Sequence, residues 1–387
     1  MQLNLGRKIK NTVRNIAIAC MVLLMVCGLA SCLHRRTVNS IAYTELGIPT
    51  SSRYSESNRA RNPWDMVIFE GNLFVGSGDY DRNAGPVDIW VYDITKGEWS
   101  NSGTVPDEEV FRFCLINNTL TIPGLDPTED WSYGNYYAWN NGTWKKHRSI
   151  PGGMHNFDMV EYQGMIFCGL GVASGQYPIA CSKDGGETFN SVQMYKDNAL
   201  LDTSGSQCVR VPDLFMLGDT LYATFFYGDN ELTYDLYRYV DGVFVFDNTW
   251  SQKIHQVKYN NCIISGKVTH GDTMFFTTGY LYATTDMANF TRVTFPDSPN
   301  VFDITVCNDK LYALCGLQQE DGTYRVSVWE HDEGKVTDFI ELFNFTYDIQ
   351  PQSIACDGES FYIGMGNYKE RHEKNGMVLR VDYEENK

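Results

Sequence analysis

One pattern recurs seven times at intervals of about 40 to 55 residues. With an aromatic share of 14% and 34 glycines in 387 residues, it predicts an all-β fold of short strands and tight turns. Each copy supplies the strands of one propeller blade, so the predicted architecture is a seven-bladed β-propeller. In each unit an apolar strand enters a two-residue turn and returns through a strand of the type Leu-Tyr-small-Gly. A loop, a third strand and a turn follow, and a fourth strand starts near an aromatic or branched residue.

The first halves read WDMVIFEGNLFVGSG (64–78), FRFCLINNTLTIPG (111–124), FDMVEYQGMIFCGLG (157–171), VPDLFMLGDTLYATF (211–225), SGKVTHGDTMFFTTG (265–279), FDITVCNDKLYALCG (302–316) and QSIACDGESFYIGMG (352–366). Third strands are expected at 89–93, 136–140, 179–182, 236–240, 281–284, 326–330 and 377–381. Fourth-strand markers are Trp99, Trp144, Phe189, Phe244, Phe290 and Val336, one short of a full set. The missing strand is expected at the other end of the chain. IAYTELGIP (41–49) copies the fourth-strand pattern, with Tyr43 as its marker. Adding it to the last blade closes the ring and leaves no open sheet edge. Residues 41–384 are thus read as a single domain, used up by seven repeats.

Between the third and fourth strands of the third repeat stands Ser182-Lys183-Asp184-Gly185-Gly186-Glu187-Thr188-Phe189. Asp184 can accept backbone N–H bonds across the turn, Gly186 allows a backbone conformation closed to other residues, and Phe189 packs between sheets. The segment resembles the Asp-box (BNR repeat) of sialidase-like propellers, in Ser182, Asp184, Gly186, Thr188 and Phe189. Thr285-Asp286 to Phe290 is a degraded second copy, while YAWNNGTWKK (137–146) and WVYDITKGEW (90–99) look more like Kelch turns. The resemblance implies a fold, since this motif lies away from the ligand face in such propellers.

The chain opens with Arg7, Lys8, Lys10 and Arg14, then an apolar run from Ile16 to Leu29, too short to span about 30 Å of hydrocarbon comfortably. Leu29-Ala30-Ser31-Cys32 resembles the bacterial lipobox. That resemblance implies that residues 1–31 are a signal peptide, that Cys32 carries the lipid, and that 32–40 form a tether. Leu33-His34-Arg35-Arg36 is basic where surface-exported lipoproteins of Bacteroidota carry an acidic cluster. The implied address is the cell envelope, on the periplasmic side of a membrane, taken as the outer one.

Removing residues 1–31 takes away four positive charges and no negative ones, so the net charge of −17 becomes −21, and nucleic acid is not an expected partner. Eight cysteines remain after Cys20, Cys27 and Cys32, and they lack any CxxC or tight cluster. Most sit in apolar strands, where Cys behaves as a small hydrophobe. A bridge between Cys168 and Cys181 is the one pairing the strand order suggests. The seven histidines are scattered, so no transition-metal site or cofactor is read; calcium is not indicated. A monomer is expected.

The first-to-second-strand turns are minimal, so function is assigned to the opposite face, where loops 78–88, 126–135, 173–178, 227–235, 317–325 and 367–376 are long. One residue per repeat is expected at the channel mouth there: Asp65, Arg112, Asp158, Pro212, Ser265, Asp303 and Gln352. In three of the seven the residue is an Asp directly after an aromatic. Such a ring suits sugar hydroxyls or a cation, or it serves backbone bonding between blades. Trp131, Tyr133, Tyr177 and Tyr227 are candidate loop contacts able to stack on sugar faces. Two functions follow: a tethered, non-catalytic binder of a glycan, peptide or envelope protein, or a glycan-processing enzyme of the sialidase-like type. The first is favoured, because no arginine triad or nucleophile can be assigned; Arg210-Val211-Pro212 is the nearest approach to the sialidase Arg-Ile-Pro signature.

Overall fold

The computed structural model describes residues 40–50, 59–205, 209–227, 233–248, 266–332, 334–367 and 372–383. Cys32 and Ser265 lie outside them. Ser40–Lys387 forms one compact unit. Among the described residues no helix is long and apolar enough to cross a membrane.

The fold is an all-β propeller. Five repeats form separate four-stranded sheets. The first is Asp65–Phe69, Asn72–Gly76, Val87–Asp93 and Glu98–Val105. The second is Cys114–Ile116, Thr119–Pro123, Tyr133–Asn140 and Thr143–Pro151. The fifth runs from Lys267–His270 to Thr291–Arg292, and the sixth from Asn300–Cys307 to Phe339–Tyr347. The last pairs Pro351–Cys356, Ser360–Met365 and Val378–Asp382 with Thr44–Gly47 from the start of the chain. Here Trp99 Nε1 donates to the Leu46 carbonyl at 2.8 Å, and the Glu45 carboxylate accepts from Tyr347.

Seven separate blades are not what forms; the count of free-standing blades is five. Gly171 and Val172 pair with Arg210 and Val209, which joins the third and fourth repeats into one twelve-stranded sheet. Within it, His155–Tyr162 to Asn190–Ser191 and Val209–Leu217 to Val243–Phe246 each keep the four-strand order of a repeat. Pairing of loop segments across repeats causes the fusion, including Met194–Lys196, which lies parallel to Val243–Phe246.

Tight turns carry the pattern. Glu70-Gly71, Asn117-Asn118, Gln163-Gly164 and Asn308-Asp309 have positive φ at both central residues, the hairpin geometry that matches strand twist. Side chains then alternate between faces, and the apolar ones pack as wedges between neighbouring repeats. Phe74, Ile89 and Val105 of the first meet Leu120 and Tyr137 of the second. Met66 and Leu73 of the first meet Tyr362 and Val378 of the last, so the ring closes on itself. Each fully buried Leu, Val or Phe contributes roughly 1.5–3 kcal/mol, which distributes stability around the ring.

Two finer expectations need correction. Val336 does not mark the fourth strand of the sixth repeat. Asp332 N–H donates to the Asp338 carbonyl at 2.7 Å across a turn, and the strand begins at Phe339, which packs on Phe295. Cys168 and Cys181 stay free: Cys168 pairs with Ala180 and Cys181 with Phe167, so the two side chains leave opposite faces of their sheet.

Candidate functional site

The first strands line a central cavity of about 340 Å³. Four of them are bulged immediately before Asp158, Asp213, Asp303 and Ser353; Asp158 and Asp303 line the cavity, while Ser353 is buried and donates to the Pro63 carbonyl at 2.6 Å. A bulge adds one residue to a strand and re-aims the side chain that follows. Asp213 therefore takes the place read for Pro212, and Ser353 the place read for Gln352. Gly266 stands five residues before the fifth repeat's Gly271, as Asp158 stands before Gln163, and Lys267 beside it supplies a charge no ring reading contained. Asp65, Arg112, Asp158 and Asp303 line the cavity.

Three ring carboxylates join neighbouring repeats. Asp65 accepts the Phe113 N–H at 2.7 Å, Asp158 that of Leu214 at 2.7 Å, and Asp303 that of Ile354 at 2.9 Å. Arg112 lies 3.1 Å from both Asp158 and Asp213. Lys267 bonds Asp158, stands 3.6 Å from Asp213 and donates to the Leu214 carbonyl at 2.7 Å. Burial would push the Asp158 carboxyl up, but Lys267 and Arg112 outweigh it and hold it below the usual carboxylate range. Asp65 lacks a second cation, and burial pushes it up to about 6. Asp303 rises well above its ordinary value through burial and the charge of Asp65. The ring is thus a polar joint between blades, with two cations offsetting two of its four carboxylates.

On the long-loop face, Trp131 and Tyr133 are 55% and 48% exposed. Their loop is pinned from beneath by Arg148. Its guanidinium donates to Glu129 at 2.9 Å, to the Tyr133 carbonyl at 3.0 Å, and to the Asp130 carbonyl and carboxylate at 2.7 Å each. Tyr177 instead packs against the core of the third repeat. Tyr227 ends the strand Thr220–Tyr227, and its side chain lies outside the described residues.

Nothing in the sequence reading pointed to the strand Asp107–Glu109, three consecutive acids that are all buried. It pairs with Leu125–Pro127 on this same face. Asp107 accepts from Tyr137 and is pushed up to about 6 by burial. Glu109 accepts the Tyr80 N–H at 3.2 Å and lies 3.4 Å from Arg59, whose guanidinium sits over Trp64 and Tyr80 at 4.9 and 4.8 Å. Burial still pushes Glu109 up to about 8. Glu108 points the other way, toward Asp126, and burial and that neighbouring charge push it up to about 7. Among the described residues, no group of three or more His, Cys, Asp or Glu is placed to hold a metal ion.

The turn at Ser182–Phe189 closes on its own side chains. Asp184 accepts from Thr188 N–H at 3.0 Å and Thr188 Oγ1 at 2.5 Å, and these bonds, the hydroxyl's first, hold its carboxyl down to about 2. Ser182 Oγ accepts the Gly186 N–H at 2.8 Å. Gly186 has φ +97°, and a Cβ there would stand 2.3 Å from Tyr136 Oη, so only glycine fits. Phe189 meets Tyr136 edge-on at 6.0 Å. The turn fastens the third repeat to the second.

No protein-family model matches this chain, and no curated protein does. Solved structures match in fold. A chain of the mitotic checkpoint complex is similar at TM-score 0.50 and 10% identity, over 90% of this chain and 96% of that one. PorZ, a surface component of the type-IX secretion system of Porphyromonas gingivalis, matches at TM-score 0.51 and 10% identity, over 83% of this chain and 46% of PorZ. A puromycin hydrolase matches at TM-score 0.50 and 10% identity, over 89% of this chain and 55% of its own. This chain spans about half the length of the last two.

Proposed function

We propose that this chain is a lipid-anchored envelope protein whose propeller binds a glycan, a peptide or another envelope protein on its long-loop face, without catalysis. The lipid sits on Cys32 after removal of 1–31, with the outer membrane, periplasmic side, as the address. The two four-strand meanders inside the twelve-stranded sheet fill the third and fourth places of a seven-bladed ring, and the turn at 182–189 is an Asp-box.

The observation that carries this reading is the Arg148-pinned loop with its two exposed aromatics. A rigid loop loses little entropy on binding, and aromatic faces suit sugar rings and apolar side chains alike. In the channel, carboxylates are committed to backbone N–H groups and to Arg112 and Lys267, which favours a joint over an acid–base set. The fold is shared with a secretion component and a puromycin hydrolase, so it does not choose between binding and catalysis.

One observation favours the enzyme as second reading. Glu108 and Asp126 hydrogen-bond to each other with raised pKa values, a proton-sharing carboxyl pair of the kind acid–base hydrolysis uses, although closer together than the pair that flanks a glycosidic bond. A glycan array and thermal-shift screen, with and without calcium and alongside fluorogenic sialosides and glycosides, separates the two. Binding without turnover is expected; turnover abolished by Glu108→Gln would establish the enzyme. A Cys32→Ala protein should be released as soluble, and its persistence in alkali-washed membranes would contradict the anchor.

A further inference from the structure

The first strands of the sixth and seventh repeats, Asn300–Cys307 and Pro351–Cys356, each end on a cysteine at the short-turn face. The two strands are neighbours around the ring, and their turns approach closely: a Cβ on Gly358 would stand 2.7 Å from Asn308 Nδ2. Cys307 Sγ donates to the Cys356 carbonyl at 3.4 Å, which brings the two cysteines side by side. Gly358 N–H donates to Cys356 Sγ at 3.3 Å, which fixes that sulfur's position. Both cysteines are free and partly exposed, whereas Cys114, Cys168, Cys181 and Cys315 are buried.

We propose that Cys307 and Cys356 are a dithiol site, converted by a small-molecule or protein disulfide into a disulfide that clips the sixth repeat to the seventh. The Cys307 thiolate attacks one sulfur of the donor and expels the donor's first thiolate. The Cys356 thiolate then attacks Cys307 Sγ in the mixed disulfide and expels the second. The pair gives up two electrons and two protons, and the donor is reduced to two thiols. Burial and the Cys307 thiol push Cys356 up to about 12, so the second attack accelerates as pH rises. The clip joins the innermost strands of the sixth and last sheets, at the edge of the last sheet opposite Thr44–Gly47, and it would hold that sheet in the ring.

The test treats the full chain, first reduced, with oxidised glutathione at pH 8, followed by thiol counting, intact mass and non-reducing peptide mapping. Expected are the loss of two thiols, a linked peptide joining Cys307 to Cys356, and a Tm higher by about 5 °C that dithiothreitol reverses. Cys356→Ser should carry glutathione on Cys307 and show no rise. Separate glutathione adducts on both cysteines, or links only between other cysteines, would overturn the site. The oxidising compartment rests on the envelope address proposed above. A pair that links in vitro but is recovered reduced from acid-quenched cells leaves the site standing and sinks the address.

Discussion

Replacing Asp158 by Asn keeps an oxygen for the Leu214 N–H and removes the charge that faces Lys267 and Arg112. Breaking a buried ion pair by deleting one partner costs about 3–5 kcal/mol, because the other charge stays buried. Asp213 still stands 3.1 Å from Arg112 and 3.6 Å from Lys267, so part of that penalty is recovered. A loss of about 2–4 kcal/mol is expected, read by urea unfolding at pH 7. With an m-value on the order of 3 kcal/mol/M, the midpoint falls by about 1 M. The pH dependence is a second reading. Asp158 has a lowered pKa in the folded protein, so its contribution is complete above the ordinary carboxylate range and is lost as pH falls through the folded value. The gap between wild type and variant should therefore close as pH falls below the ordinary carboxylate range. A gap under about 0.5 kcal/mol at pH 7, or one that persists in acid, would refute the account of the ring as an ion-paired joint.

Asp65 carries the opposite sign. Its pKa is raised to about 6, so above the unfolded value its charge destabilises the fold increasingly up to that pH. Asp65→Asn, which still offers an acceptor to Phe113, should gain on the order of 3 kcal/mol at pH 8 and little at pH 4, again by urea unfolding. Deleting residues 40–50 removes the strand on Val378–Asp382 and should lower Tm by on the order of 10 °C; an unchanged Tm would mean the closure is dispensable. Arg148→Ala should make the 128–134 loop sensitive to limited proteolysis while global stability moves by about 1 kcal/mol or less.

Much of the architecture was legible because turn chemistry is local. Asn117-Asn118 and Gln163-Gly164 announce positive φ, and each fixes the strands on either side. The closing strand was legible because TELG, after Tyr43, repeats a fourth-strand pattern found elsewhere in the chain. The union of the third and fourth sheets was not, since Gly171 meets Arg210 only through tertiary pairing. In the channel, an aromatic residue before Asp65, Asp158 and Asp303 gave those three positions away. Asp213 follows a proline, and counting back five residues from Gly218, as for Asp158 from Gln163, would have found it. Lys267 adjoins a glycine that brings no side chain to the ring, so no repeat pattern announced it. The acids at 107–109 went unnoticed, because Asp and Glu are so seldom buried that three in a row do not announce an interior strand. Tyr137, Arg59 and the Tyr80 amide, which partner Asp107 and Glu109, come from distant parts of the chain.

The most direct test of the binding account compares the protein with its Trp131→Ala and Tyr133→Ala variants on an array of envelope glycans and peptidoglycan fragments, with stability followed in parallel. The account predicts at least one ligand bound by the parent, weakened tenfold or more by each substitution at unchanged Tm and without turnover (about 1.4 kcal/mol). Binding indifferent to both aromatics, or turnover of the bound glycan, would contradict it.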